Sequence, residues 1–270
     1  MSTHEDSKAT ENRPAADSHA GDVATGSFWE HLDELRSRLI RCLVVTVLVG
    51  VVAFILKDEL FAIVLAPRSS DFLTYRFLGV EPFSVGLMNT GLTEQFMIHI
   101  KTALYAGLLV ALPYVLYELF AFVSPALYDN ERHYAIQIVG SSYVMFALGT
   151  LINYFLIFPL TVRFLGTYQV SADVANMLTL QSYMDTLITM SLVIGVVFEL
   201  PVVSWILGRM GLINRKLMRN FRRHAIVVIL IVSAIITPTT DAFTLAIVAL
   251  PIWLLYEMSI WMVPQLPRLP

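Results

Sequence analysis

Three glutamates stand in settings where a carboxylate does more than keep a surface wet. Glu34 lies in the run Ser27-Phe28-Trp29-Glu30-His31-Leu32-Asp33-Glu34-Leu35-Arg36-Ser37-Arg38-Leu39, just ahead of a long apolar segment. Glu131 lies in Ser124-Pro125-Ala126-Leu127-Tyr128-Asp129-Asn130-Glu131-Arg132-His133, just after a second one. Two carboxylates presented apart on one side of a membrane suit a ligand with two guanidinium groups, because Arg makes planar, bidentate, charge-assisted contacts that Lys does not copy. Spacing alone leaves a plainer alternative open: Arg38 stands one helical turn after Glu34, the spacing of an intrahelical ion pair worth a few tenths of a kcal/mol. Glu199 is a different case. It interrupts the apolar run from 193 to 203 with no cation within a turn, so it must face a bundle interior or a water-filled hollow, either as a functional group or as a structural polar anchor.

The elements that must position these groups are helices in lipid. Hydrophobic residues make up 57% of the 270-residue chain and charged ones 14%, too little polar surface to clothe a water-soluble domain of this length. Segments able to cross about 30 Å of hydrocarbon run over residues 39–56, 93–123, 134–158 and 182–207. Two shorter ones, 225–236 and 242–263, are read as a hairpin turning at Thr237-Pro238-Thr239-Thr240-Asp241, with a single re-entrant pair as the alternative. Arg36, Arg38 and Arg41 precede the first span, Arg132 follows the second, and Arg209, Arg215, Lys216, Arg219, Arg222 and Arg223 follow the fourth. Positive residues are retained on the cytoplasmic side, so the fold class expected is all-α and polytopic, with six transmembrane helices and both termini cytoplasmic. Residues 57–92 and 159–181 are then external.

Residues 1–26 are polar, lack a signal-peptide core and read as a disordered cytoplasmic arm; 27–265 form the membrane domain and 266–270 a short cytoplasmic tail. Ser27 and Glu30 have capping-box spacing, which predicts a helix start at that point, and Leu32, Leu35 and Leu39 give the helix an apolar stripe. Pro113, Pro201 and Pro251 fall inside spans and predict bent helices in a curved bundle.

Several function classes find no support. A net charge of −3 supplies no basic field for nucleic acid. There is no His-Glu-x-x-His, Gly-x-Ser-x-Gly, phosphate loop or Cys-x-x-Cys, Cys42 is the sole cysteine, and the six histidines are scattered, so no catalytic residue, metal ligand or cofactor is assigned. Lys101, with Glu94, Gln95, His99 and Thr102, reads as a structural polar group at the external end of its span, and Trp29, Tyr128 and Trp261 as interfacial aromatics. A proton-coupled small-solute transporter using Glu199 is the competing reading, although no internal repeat of the kind such transporters carry is visible.

Taken together, His31 to Leu39, Phe122-Val123-Ser124-Pro125-Ala126-Leu127-Tyr128 with Glu131-Arg132, Phe198-Glu199-Leu200-Pro201, and Thr237-Pro238 with Asp241 resemble the TatC family, the receptor and core subunit of the twin-arginine protein translocase. The resemblance covers residues 28 to about 263 in order, and the amino-terminal arm lies outside it. It implies a glove-shaped bundle in a bacterial inner membrane that binds the twin-arginine signal peptides of folded cargo proteins and recruits TatA-like and TatB-like single-span partners into a multimeric hetero-oligomer. Export would be driven by the proton-motive force. It implies that Glu34 and Glu131 receive the two arginines, with Phe122 and Arg36 beside that site, that Glu199 is the buried glutamate of the concave face, and that Thr237, Pro238 and Asp241 form the partner-docking hairpin. This chain departs from the family pattern in three places. Its hairpin has one residue more than Thr-Pro-Pro-Asp, Leu245 stands where many members carry a glutamine, and Glu118 stands where a glutamine is frequent.

Overall fold

The computed structural model describes residues 17–79, 83, 85–123, 135–168, 171, 177–237 and 241–264. Side chains are described from residue 32 onward, except at 123, 135 and 136. Glu131 and Pro238 lie outside the described residues. The chain divides into two compact units, Met1–Arg41 and Cys42–Pro270.

The first unit contains the start of α1 (Asp17–Ile55). The helix begins inside the stretch expected to be a disordered arm, so Ser27 lies within it rather than at its N-cap. Once nucleated, a helix gains one backbone bond for each residue added, and local cap chemistry yields to that extension through Ala20 and Ala24. The stripe residues Leu32, Leu35 and Leu39 are all exposed.

The second unit is built from α2 (Lys57–Leu65), α3 (Leu73–Phe77), α4 (Glu94–Val123), α5 (Ala135–Ile152), α6 (Phe158–Thr167), α7 (Leu180–Val197), α8 (Leu200–Arg209), α9 (Arg215–Asn220), α10 (Arg222–Ile236) and α11 (Ala242–Met262). Among the described residues, five stretches are long and apolar enough to cross a membrane: Leu32–Ile55, Glu94–Phe122, Gln137–Thr167, Leu180–Arg209 and Ala242–Met262. Outward-facing apolar side chains such as Val110, Ile235 and Trp261 are at least two-thirds exposed, the pattern of a surface facing lipid. The chain is an all-α polytopic membrane protein. The fifth expected span is α10, whose 15 residues give about 22 Å, short of an average hydrocarbon core.

The third span runs further than expected. It passes from α5 through a wide π turn at Asn153–Ile157 into α6, taking in residues 159–167 that the sequence assigned to an external loop. Pro159 is tolerated because it stands in the first turn of α6. Lacking an N–H, it leaves the Phe155 carbonyl in need of a donor, and the Thr74 hydroxyl of α3 donates to it. Pro201 acts similarly in the fourth span, which breaks at Phe198-Glu199 between α7 and α8, while Pro113 and Pro251 are carried inside α4 and α11.

The core of this unit gathers Ile157, Phe158, Met184, Met190, Ile194 and Val248, each at most 1% exposed. α1 and α4 approach at backbone distance: a Cβ on Gly107 would lie 2.6 Å from both the Gly50 nitrogen and the Thr46 carbonyl oxygen, so glycine is required there. Two short strands, β1 (Leu87–Met88) and β2 (Leu178–Thr179), pair in parallel and tie the segment before α4 to the one before α7.

Candidate functional site

Glu34 sits on the α1 stub with its side chain 38% exposed. Arg38 closes on it from the next turn, donating to Oε1 from Nε at 3.0 Å and from Nη2 at 2.6 Å. The plainer of the two sequence alternatives is therefore realised in this structure, and a guanidinium already occupies the carboxylate. A partly exposed i,i+4 pair of this kind is weak and can exchange partners. Arg36 is exposed on the same stub. Phe122 is half-buried in the last turn of α4. One turn before it, Glu118 is buried and accepts a 2.8 Å bond from the Tyr114 hydroxyl.

Glu199 caps the break in the fourth span. Its Oε1 is buried with no hydrogen-bond partner among the described residues, and the Ser142 hydroxyl of α5 approaches the carboxyl. It therefore faces the bundle interior, one of the two settings expected. At the hairpin, Asp241 is the N-cap of α11 and accepts from the Thr244 N–H at 2.8 Å. Thr237 closes α10 with its hydroxyl donating to the Ser233 carbonyl at 3.0 Å. Both are local capping contacts that Ala would remove.

The basic loop after the fourth span is engaged rather than merely positive. Arg215 donates from Nε to the Ile260 carbonyl at 2.9 Å and from Nη2 to the Trp261 carbonyl at 3.0 Å, and its guanidinium lies 5.5 Å from the Trp261 ring. It thus satisfies the open carbonyls at the end of α11, where a cation also meets the negative pole of the helix. Arg222 and Glu257 form a 2.5 Å ion pair between α10 and α11. Sequence reading did not find these contacts, nor the Lys101–Asp185 pair at 3.1 Å between α4 and α7. The partners lie far apart in sequence, and no spacing rule links them.

Glu94 proves to be an organiser. Its Oε2 accepts from the Thr90 and Gly91 N–H groups at 3.0 and 2.8 Å, and its Oε1 accepts from the Gln181 N–H at 3.0 Å, joining the starts of α4 and α7. His99 stacks on Phe54 at 3.9 Å between centroids and bonds its carbonyl through Nε2, and Thr102 donates back to Ile98 within its own helix. These are the structural roles expected of this polar group.

These features define a many-spanning helical membrane protein with a partly exposed carboxylate on the first helix, a glutamate at a helix break and a basic loop clasping its last helix. Residues 30–251 match the family model described as Sec-independent protein translocase protein (TatC). The chain is 35% identical over 239 residues to a Deinococcus radiodurans protein of that name, covering 88% of this chain and 86% of the relative. It is 32% identical to an Aquifex aeolicus protein of the same name, covering 86% and 92%. A crystal structure of the twin-arginine translocase receptor TatC superposes with a TM-score of 0.72 at 32% identity, covering 86% of this chain and 97% of that one. A second such crystal structure, in the detergent DDM, gives 0.73 at 31% identity. This chain belongs to the TatC family.

Proposed function

We propose that this protein is the signal receptor of a twin-arginine translocase, with Glu34 and Glu131 as the carboxylates that take the two arginines and Phe122 and Arg36 beside them. The reading is carried by the match to the family over residues 30–251, which contains all four of these residues, together with the partly exposed, exchangeable Glu34–Arg38 pair. An arriving signal arginine displaces Arg38 from Glu34, so binding swaps one guanidinium for another and gains chiefly from the second carboxylate and from planar bidentate geometry. Lysines, as point charges on flexible stems, gain less.

In the same reading the chain is multi-pass in a bacterial inner membrane with its amino terminus cytoplasmic, the orientation that the clustering of Arg and Lys around the first span and the α8–α10 loop supports. α10 and α11, with Thr237, Pro238 and Asp241 at their turn, complete six spans and receive TatA-like and TatB-like single-span partners. An open groove on α11 lined by Leu254, Met258, Trp261 and Met262, with Glu257 among them, is predominantly apolar and suits such a helix. The solute-transporter alternative gains nothing from the relatives' names. Crosslinking of a synthetic twin-arginine signal peptide to the solubilised protein tests the receptor reading. Arg-Arg peptide should crosslink to wild type, and both a Lys-Lys peptide and the Glu34→Ala, Glu131→Ala protein should lose most of the product. Indifference to both changes would refute the reading.

A further inference from the structure

The faces that α4, α5 and α7 turn to one another carry polar groups at three depths. Nearest the Glu94 end, Lys101 Nζ lies 3.1 Å from Asp185 Oδ1, with both side chains open to solvent by about half. One turn deeper are Tyr105, Thr150, Asn153 and Ser191. Asn153 Nδ2 donates to Ser191 Oγ at 2.8 Å, and the hydroxyls of Ser191 and Thr150 approach that of Tyr105. Tyr105 Oη, Thr150 Oγ1 and Asn153 Oδ1 are nonetheless buried with no hydrogen-bond partner among the described residues. Three converging oxygens of this kind, costly to bury unpaired in an apolar surrounding, are what a bound water needs for its two to four bonds. About 12 Å further along the fourth span comes the third level, Glu199 with Ser142.

Between the second and third levels the polar lining stops at two phenyl rings. Phe146 of α5 lies on Gly195 of α7, where an added Cβ would sit 2.7 Å from its Cζ. Phe198, just past α7, lies on Gly149 of α5, where an added Cβ would sit 2.7 Å from its Cγ. Both rings are at most 5% exposed. The arrangement is reciprocal: each helix gives up a side chain so that the other's ring can lie on its backbone.

We propose that α4, α5 and α7 enclose a hydrated polar column from the Lys101–Asp185 end towards Glu199, closed at one point by the Phe146–Phe198 pair, which acts as an apolar gate to water and protons. A short apolar constriction excludes water while it is closed and conducts once its rings swing aside. Lys101 and Asp185 mark the mouth, the Tyr105–Thr150–Asn153–Ser191 cluster holds water above the gate, and Glu199 with Ser142 is the first polar site beyond it. The column stands apart from the receptor reading and does not depend on it.

Sealed proteoliposomes of the full chain with a trapped pH-sensitive dye test the gate. Under an imposed pH gradient, wild type should leak protons at close to the rate of empty vesicles. Phe146→Ala and Phe198→Ala should each raise the rate at least tenfold, and adding Glu199→Gln to Phe146→Ala should bring it most of the way back. Wild-type rates in both monodisperse alanine variants would overturn the proposal. Should those variants aggregate, a measurement that leaves the rings in place decides. With Cys42→Ser as background and maleimide labelling after detergent lysis as the readout, Thr150→Cys should be silenced by external silver ions in the same fraction of vesicles as Asp185→Cys, and Ser142→Cys should be protected in that fraction. An unreactive Thr150→Cys, or a Ser142→Cys silenced alongside Asp185→Cys, overturns it.

Discussion

The two ends of the Cys42–Pro270 unit are held together by different physics. At the end where α4 and α7 begin, the Tyr75 hydroxyl is within 2.9 and 2.7 Å of the Pro67 and Pro159 carbonyls, those of Tyr183 and Tyr154 donate to Val64 and Ile63, Glu94 bridges to Gln181, and β1 pairs with β2. Most of these bonds are buried or partly so, and all but the Tyr75–Pro67 bond join segments 84 to 119 residues apart. At the other end the contacts are charged and reachable from water: Arg215 on the end of α11, Arg222 with Glu257, Arg209 stacked 5.0 Å from Trp205, and exposed Lys216, Arg219 and Arg223. Neutral buried bonds cost a full desolvation penalty when broken, whereas solvated ion pairs exchange partners cheaply. One end is thereby a fixed frame, and the other is adaptable, as a surface that meets changing ligands must be.

Substitutions that sharpen this contrast are ranked by the same argument. Glu94→Ala removes the acceptor of three backbone N–H groups at once and should produce the largest drop in melting temperature in detergent, with Glu94→Gln intermediate; a neutral outcome would show that the end is not a frame. Tyr75→Phe strips the buried donor from two carbonyls and should cost about 1–3 kcal/mol. Burial also pushes the Tyr75 phenol well above its ordinary pKa of 10.0. Its contribution is therefore full below the unfolded value and drains as pH rises beyond it, so melting curves above about pH 10 should fall less steeply for Tyr75→Phe than for wild type. Parallel curves would remove that assignment.

At the adaptable end the effects should shrink. Arg215→Ala should cost about 1 kcal/mol, since water can take over the freed α11 carbonyls. Arg222→Gln should cost less than about 1 kcal/mol and lose most of that on adding salt, because nearly half of the Arg222 side chain is exposed and screened. An Arg222→Gln loss as large as that of Tyr75→Phe would erase the distinction between the ends. The smallest effect concerns Glu34. Removing its resident competitor with Arg38→Gln should leave stability unchanged and tighten a twin-arginine peptide by about twofold, the value of a weak i,i+4 pair. Weaker binding would instead make Arg38 part of the recognition surface.

Much of this was legible in the residues. Three of the five long spans fall within two residues of their hydropathy limits, the first ends within one residue of its limit, and Glu199 faces inward as a carboxylate in an apolar run must. Where the reading missed, neighbours decided. The third span continues through Pro159 because Thr74, distant in sequence, supplies the missing donor, and α1 starts at Asp17 because a long helix extends past a local cap signal. Of the two alternatives for Glu34, spacing offered both, and side-chain geometry realised the Arg38 pair.

The sequence by itself determined the solvent, most of the span positions and the family, because hydropathy, charge placement and short motifs are properties of contiguous residues and add along a helix. Tertiary structure alone decided that Lys101 meets Asp185, that Glu94 reaches Gln181, and that Phe146 and Phe198 lie on each other's glycines. Those pairings depend on which faces of separate helices meet and at what register. A one-residue rotation of either helix, about 100°, would break them while leaving every local pattern intact.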